Sequence, residues 1–260
     1  MNLFAKQDQM ESLVDEKRPL TVMQRDEGMY REYCTPMLLS IEKRIIDIAV
    51  SLFFLIVFFP VMVVIAILIR LDSPGPAIFR QIRVGQNRRR KAWEDGSLEN
   101  RRKDDLHGAP FAFYKFRTMY DDARERWPEL YTYEHTEEEI ETMRFKLIND
   151  PRLTRVGSWL RRHTLDELPN FINVLIGNMT LVGPRPDIPE MMQYYKPWQL
   201  QKFKVKQGLT GLAQAQGRGL LTFQETIAKD VYYVKHQSLS LDIRIILGTI
   251  KHIITRKGAF

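Results

Sequence analysis

Cysteine is almost absent from this chain: Cys34 is the single one in 260 residues. Without a second thiol there is no internal disulfide, so the chain does not depend on an oxidising compartment and is compatible with a reducing cytosol. A charge of one sign throughout is also missing. The formal charge is +7, yet residues 80–103 carry nine Lys or Arg against three acids, while residues 104–142 carry eleven acids against four bases. That alternation argues against a uniform polyanion-binding field, whereas a basic segment close to an apolar run suits an anionic membrane surface. Glycine concentrates in Gly208-Leu-Thr-Gly-Leu-Ala-Gln-Ala-Gln-Gly-Arg-Gly, where it lets the backbone approach a ligand closely. Its spacing there fits neither the P-loop nor the dinucleotide fingerprint. The 44% hydrophobic content excludes a chain disordered throughout and suffices for one sizeable domain or two small ones.

Charge is missing altogether from residues 48–69, a run of 22 positions. About 20 apolar residues cross the hydrocarbon of a bilayer, so the run has the length of a span. More than forty largely polar residues precede it and no small-residue cleavage site follows, so a signal peptide is not expected. A helix apolar all round also fits a soluble core poorly. Pro60, just past the middle, removes an internal hydrogen bond and favours a kink. Lys43 and Arg44 precede the run, and Arg70, Arg80, Arg83 and the Arg88–Lys91 cluster follow it, so both flanks carry the signal for the cytoplasmic side. A helix that bends at Pro60 and returns to the same face satisfies both flanks; a straight span with a tolerated proline is the competing topology. Asp47, at the edge of the run, either pairs with Lys43 one turn back or reaches the headgroups.

Residues 1–40, with Pro19 and Pro36, read as a peripheral arm. Asp72-Ser-Pro-Gly-Pro is a turn that takes the chain off the membrane. Ala77–Val84 alternates as a strand, with Ile78, Ile82 and Val84 opposite Phe79. In Phe111-Ala-Phe-Tyr-Lys-Phe-Arg-Thr-Met, the period of two puts Lys115 and Arg117 on one face and Tyr114 and Phe116 on the other. Two adjacent cations make either an anion clamp or a pair of solvent-facing charges. The intervening residues 86–110, with Arg88–Lys91 and Trp93, read as a solvated or membrane-touching loop; a nucleic-acid site there is the minor alternative, because aromatic interleaving is thin. Glu137, Glu138, Glu139 and Glu141 read as an exposed helix face rather than a metal site.

Asp150-Pro151 has the form of a helix start, followed by an apolar stripe of Leu153, Val156 and Leu160. That helix carries Arg161 and Arg162 into Thr164-Leu-Asp-Glu-Leu-Pro-Asn, where Thr164 and Glu167 have capping-box spacing. Asp166 and Glu167 would then lie in the first turn of a helix ending at Gly177. Two carboxylates at a helix N-terminus are either a structural cap or the acidic half of a site. Arg161 and Arg162 arrive close enough to pair with them or to neutralise an anion bound beside them. Arg185 follows, held between Pro184 and Pro186. Thr222 and Glu225 repeat the capping box before an amphipathic helix, and Leu239–Ile254 is a last one, suited to the core or to a membrane interface.

In this order the motifs resemble the bacterial monotopic phosphoglycosyl transferases, the initiating sugar transferases of exopolysaccharide, O-antigen and glycoprotein assembly. The residues carrying the resemblance are Lys43-Arg-Ile-Ile-Asp, Leu71-Asp-Ser-Pro-Gly-Pro, Arg80-Gln-Ile-Arg-Val-Gly, Tyr114-Lys-Phe-Arg-Thr-Met, Asp150-Pro-Arg-Leu-Thr-Arg-Val-Gly, the stretch 164–186, Gly208-Leu-Thr-Gly-Leu-Ala-Gln and Asp230-Val-Tyr-Tyr-Val. Many motifs in one order are far more specific than any single one. The resemblance implies a mostly helical α+β protein with a small β-hairpin and amphipathic interfacial helices. One re-entrant helix, residues 41–72 broken at Pro60, would anchor a catalytic domain of residues 73–260, with 86–110 as an insertion. It implies transfer of a sugar 1-phosphate from a nucleotide sugar, in the expected case a UDP-sugar, to polyprenyl phosphate, at the cytoplasmic face of the bacterial inner membrane and with Mg²⁺. Asp166 then corresponds to the nucleophile and a metal ligand, and Glu167 to its dyad partner. Lys115, Arg161 and Arg185 correspond to the cations around them, with Arg117 and Arg218 as further phosphate contacts. Membrane lipids are expected partners, nucleic acid is not, and a homo-oligomer stays open. Two departures stand out: the long 86–110 segment, and Leu212 where an aromatic is common. A non-catalytic, membrane-anchored anion-binding scaffold is the competing expectation.

Overall fold

A computed structural model describes residues 37–87, 107–144, 147, 149–217 and 220–255. The arm up to residue 36, most of the 86–110 segment with Arg88–Lys91 and Trp93, and Arg218 lie outside the described residues. The described residues belong to one unit, Cys34–Phe260. In chain order it comprises α1 (Met37–Asp72), β1 (Ile78–Val84), β2 (Pro110–Phe116), α2 (Ala123–Arg126), α3 (Glu137–Thr142), α4 (Arg155–His163), α5 (Asn170–Leu175), β3 (Thr180–Val182), β4 (Gly208–Thr210), α6 (Leu212–Gly217), α7 (Phe223–His236) and α8 (Leu239–Thr255). Short 3-10 turns link several of these elements. The chain is mostly helical, with the expected antiparallel β1–β2 hairpin. A parallel β3–β4 pair, three residues a strand, was too short to leave a periodic signal.

The long helix α1 is the one described helix long and apolar enough to cross a membrane. It is a single unbroken helix that includes Pro60, and its 36 residues amount to about 54 Å at the usual rise. One stripe of it packs on the rest of the unit on both sides of Pro60. Near its start, Lys43 Nζ bonds Asp242 Oδ2 at 2.6 Å and the Val182 carbonyl at 3.0 Å. Arg44 donates to the carbonyls of Val174 and Leu175, each at 2.7 Å, covering the open C-terminal end of α5. Asp47 neither pairs with Lys43 nor reaches headgroups; it is buried and accepts from Leu181 N at 2.9 Å and Thr180 Oγ1 at 3.1 Å. Further on, Phe54 stacks on Phe171 with centroids 4.8 Å apart, and Ile65 and Ile69 join Phe116, Leu160 and Leu168 in a core cluster. At the far end Asp72 accepts from Val156 N at 2.9 Å. The rest of the circumference, including Leu52, Phe53, Ile56, Phe59, Val64 and Leu68, is exposed and apolar.

One local expectation is corrected. Asp150-Pro151 does not start a helix: Asp150 instead clasps Arg152 at 2.7 and 2.8 Å, and Thr154 caps α4 by accepting from Gly157 N at 3.0 Å. Among the described residues the carboxylate is held by Arg152 alone, which donates both its guanidinium and its backbone N–H, the latter at 3.1 Å. Thr222 and Glu225 do form their capping box, and the glutamates of α3 are exposed as expected.

Candidate active site

Asp166 lies in a single 3-10 turn, Leu165–Glu167, between α4 and α5. Thr164 is not its cap. It takes a left-handed backbone, φ 61°, closes α4 with its N–H on the Leu160 and Arg161 carbonyls, and makes no side-chain cap bond to the turn. Reversing the chain at residue 164 breaks the continuous helix that a capping box requires. As a result Asp166 is buried, 8% exposed, instead of decorating an open helix end. Gly177, φ 87°, lies just past α5, as the sequence suggested.

Three elements bring cations to this turn. Arg161 sits in the last turn of α4, where its Nε bonds Thr118 Oγ1 at 3.0 Å. Gly157 permits that approach, because a Cβ there would lie 2.0 Å from the Thr118 carbonyl oxygen. Lys115 comes from β2, which α5 grips through Asn173: its Oδ1 accepts from Tyr114 N at 3.0 Å and its Nδ2 donates to Ala112 O at 2.6 Å. Arg185, after β3, meets Glu167 Oε1 at 2.6 Å. The two carboxylates therefore occupy different roles, as consecutive positions in a helical turn require: Glu167 holds Arg185, and Asp166 is buried among the cations.

Arg83 is a fourth cation that the sequence reading assigned to the membrane flank. The register pairs Phe79 with Lys115 and Arg83 with Phe111, which puts Arg83 and Lys115 on one face of the hairpin. The alternation in Arg80-Gln-Ile-Arg-Val-Gly carried that information, but the pairing register did not follow from it. Arg83 donates to the Pro186 carbonyl at 3.2 Å, beside Arg185.

The electrostatics follow from this crowding. Burial, with Arg161 next, lowers Lys115 to about 8. Burial, with Arg185 next, lowers Arg83 to about 10, still charged at neutral pH. Arg185 is raised, first by Glu167. The Asp166 carboxyl is pushed up by burial and by Glu167, against the pull of Lys115, Arg161 and Arg185. Four cations against two carboxylates leave the site short of negative charge, which suits a polyanionic ligand.

Behind the arginines lies a buried ionic cluster that sequence reading missed. Lys202 Nζ meets Asp187 Oδ2 at 2.6 Å and Asp230 Oδ2 at 3.0 Å, and the Tyr195 hydroxyl donates to Asp187. The Asp187 carbonyl also accepts from Val84 N at 2.8 Å, so this residue ties the strand bearing Arg83 to the segment bearing Arg185. Lys202 sits in a Met- and Tyr-rich stretch without periodicity, and nothing there marks it for burial.

Arg117 is not brought to the site. The strand ends at Phe116, and the Arg117 guanidinium turns to the end of α1, where it donates to the carbonyls of Pro74 and Ser73, the latter at 2.6 Å, and to Ser73 Oγ at 3.0 Å. Gly75, φ 110°, makes room for it. Unsatisfied carbonyls at a helix end attract a guanidinium more strongly than open solvent does. Leu212, the departure noted above, is a core residue packed near Val182 and Tyr233.

Fold and site together define a domain docked along an apolar helix, with a buried carboxylate set among a cluster of cations. Residues 38–256 match the family described as bacterial sugar transferase, and the chain belongs to that family. It is 34% identical to the UDP-glucose:undecaprenyl-phosphate glucose-1-phosphate transferase of Caulobacter vibrioides, over 85% of this chain and 73% of that protein. It is 37% identical to the galactosyl transferase CpsE of Streptococcus agalactiae, over 84% of this chain and 43% of that one. To the undecaprenyl-phosphate galactose phosphotransferase of Salmonella typhimurium it is 35% identical, over 84% and 41%. The chain thus spans less than half the length of two of these three relatives.

Proposed function

We propose that this protein transfers a sugar 1-phosphate from a nucleotide diphosphate sugar, in the first case a UDP-sugar, to polyprenyl phosphate through a phosphosugar bound to Asp166. The observation that carries this reading is the buried Asp166 carboxylate among Lys115, Arg161 and Arg185. A carboxylate attacks phosphorus only where the charge of the diphosphate is cancelled, and these cations supply that cancellation. In the first step an Asp166 oxygen attacks the β-phosphorus, the bond from that phosphorus to the bridging oxygen breaks, and the nucleoside monophosphate leaves with the electron pair. In the second, a phosphate oxygen of the lipid attacks the same phosphorus, and the bond to Asp166 breaks. The products are a polyprenyl diphosphate sugar and the restored carboxylate. A covalent intermediate separates a soluble donor from a lipid acceptor, so one site serves them in turn. Glu167 holds Arg185 at the donor phosphates.

Mg²⁺ fits these residues in one mode. Among the described residues no group of three His, Cys, Asp or Glu could cage a metal. Mg²⁺ is commonly held by one or two carboxylates together with substrate phosphates and water, and Asp166 would be that carboxylate. Bound there, it would add positive charge at the diphosphate.

Membrane attachment belongs to the same reading. Because α1 docks on the unit before and after Pro60, a perpendicular span would drag buried ion pairs such as Lys43–Asp242 through hydrocarbon. We therefore place α1 in one leaflet with both ends on the cytoplasmic side of the inner membrane.

The test is reconstitution in nanodiscs with polyprenyl phosphate and a panel of nucleotide sugars. The reading expects nucleoside monophosphate and a lipid-linked sugar diphosphate in equal amounts with at least one donor. Donor binding without either product would support the anion-binding scaffold instead.

A further inference from the structure

Lys202 is the one fully buried lysine among the described residues, 1% exposed, and the transfer reaction gives it no task. Its Nζ bonds Asp187 Oδ2 at 2.6 Å and the Tyr195 hydroxyl at 3.2 Å, and lies 3.0 Å from Asp230 Oδ2 on α7. Taking such charges out of water costs about as much as their attraction returns, and apolar residues of similar volume would serve the fold as well. What the cluster does supply is fixed geometry.

Two observations say for what. First, Asp187 follows Arg185 by two positions and holds the strand that carries Arg83. Its carbonyl accepts from Val84 N at 2.8 Å, and the preceding carbonyl, of Pro186, accepts from Arg83 Nη1 at 3.2 Å. Consecutive residues of β1 are thereby fastened to consecutive residues of the Arg185 segment. Secondly, the two guanidiniums are near enough to repel: Arg185 lowers Arg83, whereas the Asp187 charge favours the charged form of both. Repulsion between cations fixed side by side is relieved when an anion binds them together. A diphosphate carries enough charge to do so.

We infer that Lys202 and Asp187 are positioning residues for the donor diphosphate, a buried latch that sets Arg83 and Arg185 as one fork on its phosphates. Lys202 pins the Asp187 carboxylate, and Asp187 carries the restraint to both arginines through its own carbonyl and its charge. This rests on the function proposed above and deepens it, by adding Arg83 to the donor contacts and giving the buried lysine a part in the first half-reaction. Neither Lys202 nor Asp187 touches the reacting atoms.

The test uses the full chain in nanodiscs, with inorganic pyrophosphate as the probe of the fork and release of nucleoside monophosphate as the readout of the donor half-reaction. Asp187→Asn keeps the carbonyl that takes Val84 and leaves Lys202 its contact with Asp230. It is expected to raise the Kd for pyrophosphate and the donor KM about tenfold each, to lower kcat less than about threefold, and to leave the acceptor KM within about twofold. Lys202→Met does the same. In an Arg83→Met background the effect of Asp187→Asn falls to about twofold, because half of the fork is already gone. A lowered melting temperature with pyrophosphate binding and donor KM unchanged overturns the inference, since the cluster then serves the fold alone. An effect undiminished by Arg83→Met overturns it too, because Asp187 then acts elsewhere. Should Lys202→Met fail to fold, Asp187→Asn decides by these same outcomes. A wild type that binds pyrophosphate but releases no monophosphate from any donor refutes the transferase reading and not the fork; one that binds no pyrophosphate refutes the fork.

Discussion

Glu167 and Arg185, eighteen residues apart, meet at 2.6 Å. This pair ties the carboxylate turn after α4 to the proline-flanked arginine after β3, and it leaves Asp166 as the carboxylate free to face a ligand. Charge-assisted bonds of this length carry geometric precision as well as energy. Glu167→Gln keeps the shape but removes the charge that holds Arg185. We expect the donor KM to rise and kcat/KM to fall about tenfold or more, with little change in thermal stability, because the pair is partly open to solvent. Steady-state kinetics beside a melting curve check this; a large loss of stability with intact kinetics would make the pair a structural tie.

Lys115 gives the site a pH signature. Its ammonium is lowered to about 8 by burial and by Arg161, so under the proposed reaction the donor kcat/KM is expected to fall as pH rises through about 8, as this cation is lost from the site. Lys115→Arg keeps its charge, so the descending limb moves to higher pH. Stability runs the other way. Between about 8 and the ordinary 10.5 the folded chain binds fewer protons at this position than the unfolded chain, so the contribution of Lys115 to stability grows across that window. A descending limb unmoved in the arginine variant assigns it to another group.

Arg117 separates two readings of one strand. Period-two alternation sets it beside Lys115 as a clamp, while its bonds to Ser73 and Pro74 make it a tie on the end of α1. Arg117→Met should cost about 1–3 kcal/mol of stability, because buried carbonyls lose their donor. The donor KM should change by less than about twofold. Denaturant titration in detergent and donor kinetics check the two halves. A tenfold rise in KM with full stability would restore the clamp.

Both ends of α1 should face the same side of the membrane. Glu42, near the start of α1, and Arg80, in β1 beyond its end, are both exposed, so Glu42→Cys and Arg80→Cys in a Cys34→Ser background report the topology. Labelling of both by an impermeant thiol reagent from the cytoplasmic side is expected. Labelling from opposite sides would mean a straight span.

Much of this was legible before any coordinates. The uncharged run of residues 48–69, the hairpin and the carboxylate turn flanked by Arg161 and Arg185 follow from periodicity, charge and motif order. What stayed hidden depends on contacts between distant segments. Thr164 has a cap's spacing but a left-handed backbone, because α4 must end sharply against the turn. Asp47 and Lys43 look like membrane-edge charges, yet they bind β3 and α8, which lie more than 130 residues further on. Arg83 shares a face with Lys115 only through the pairing register, and Lys202 becomes a buried ion only where Asp187 and Asp230 converge on it.

The central claim is that Asp166 carries the phosphosugar. The most direct measurement is a rapid acid quench of the nanodisc-bound protein with a donor labelled in the β-phosphate, followed by peptide mapping, for wild type and Asp166→Asn. The account predicts label on the peptide containing Asp166 in the wild type, chased off by polyprenyl phosphate, and neither label nor monophosphate release in Asp166→Asn. Label on another residue, or substantial turnover by Asp166→Asn, would contradict it.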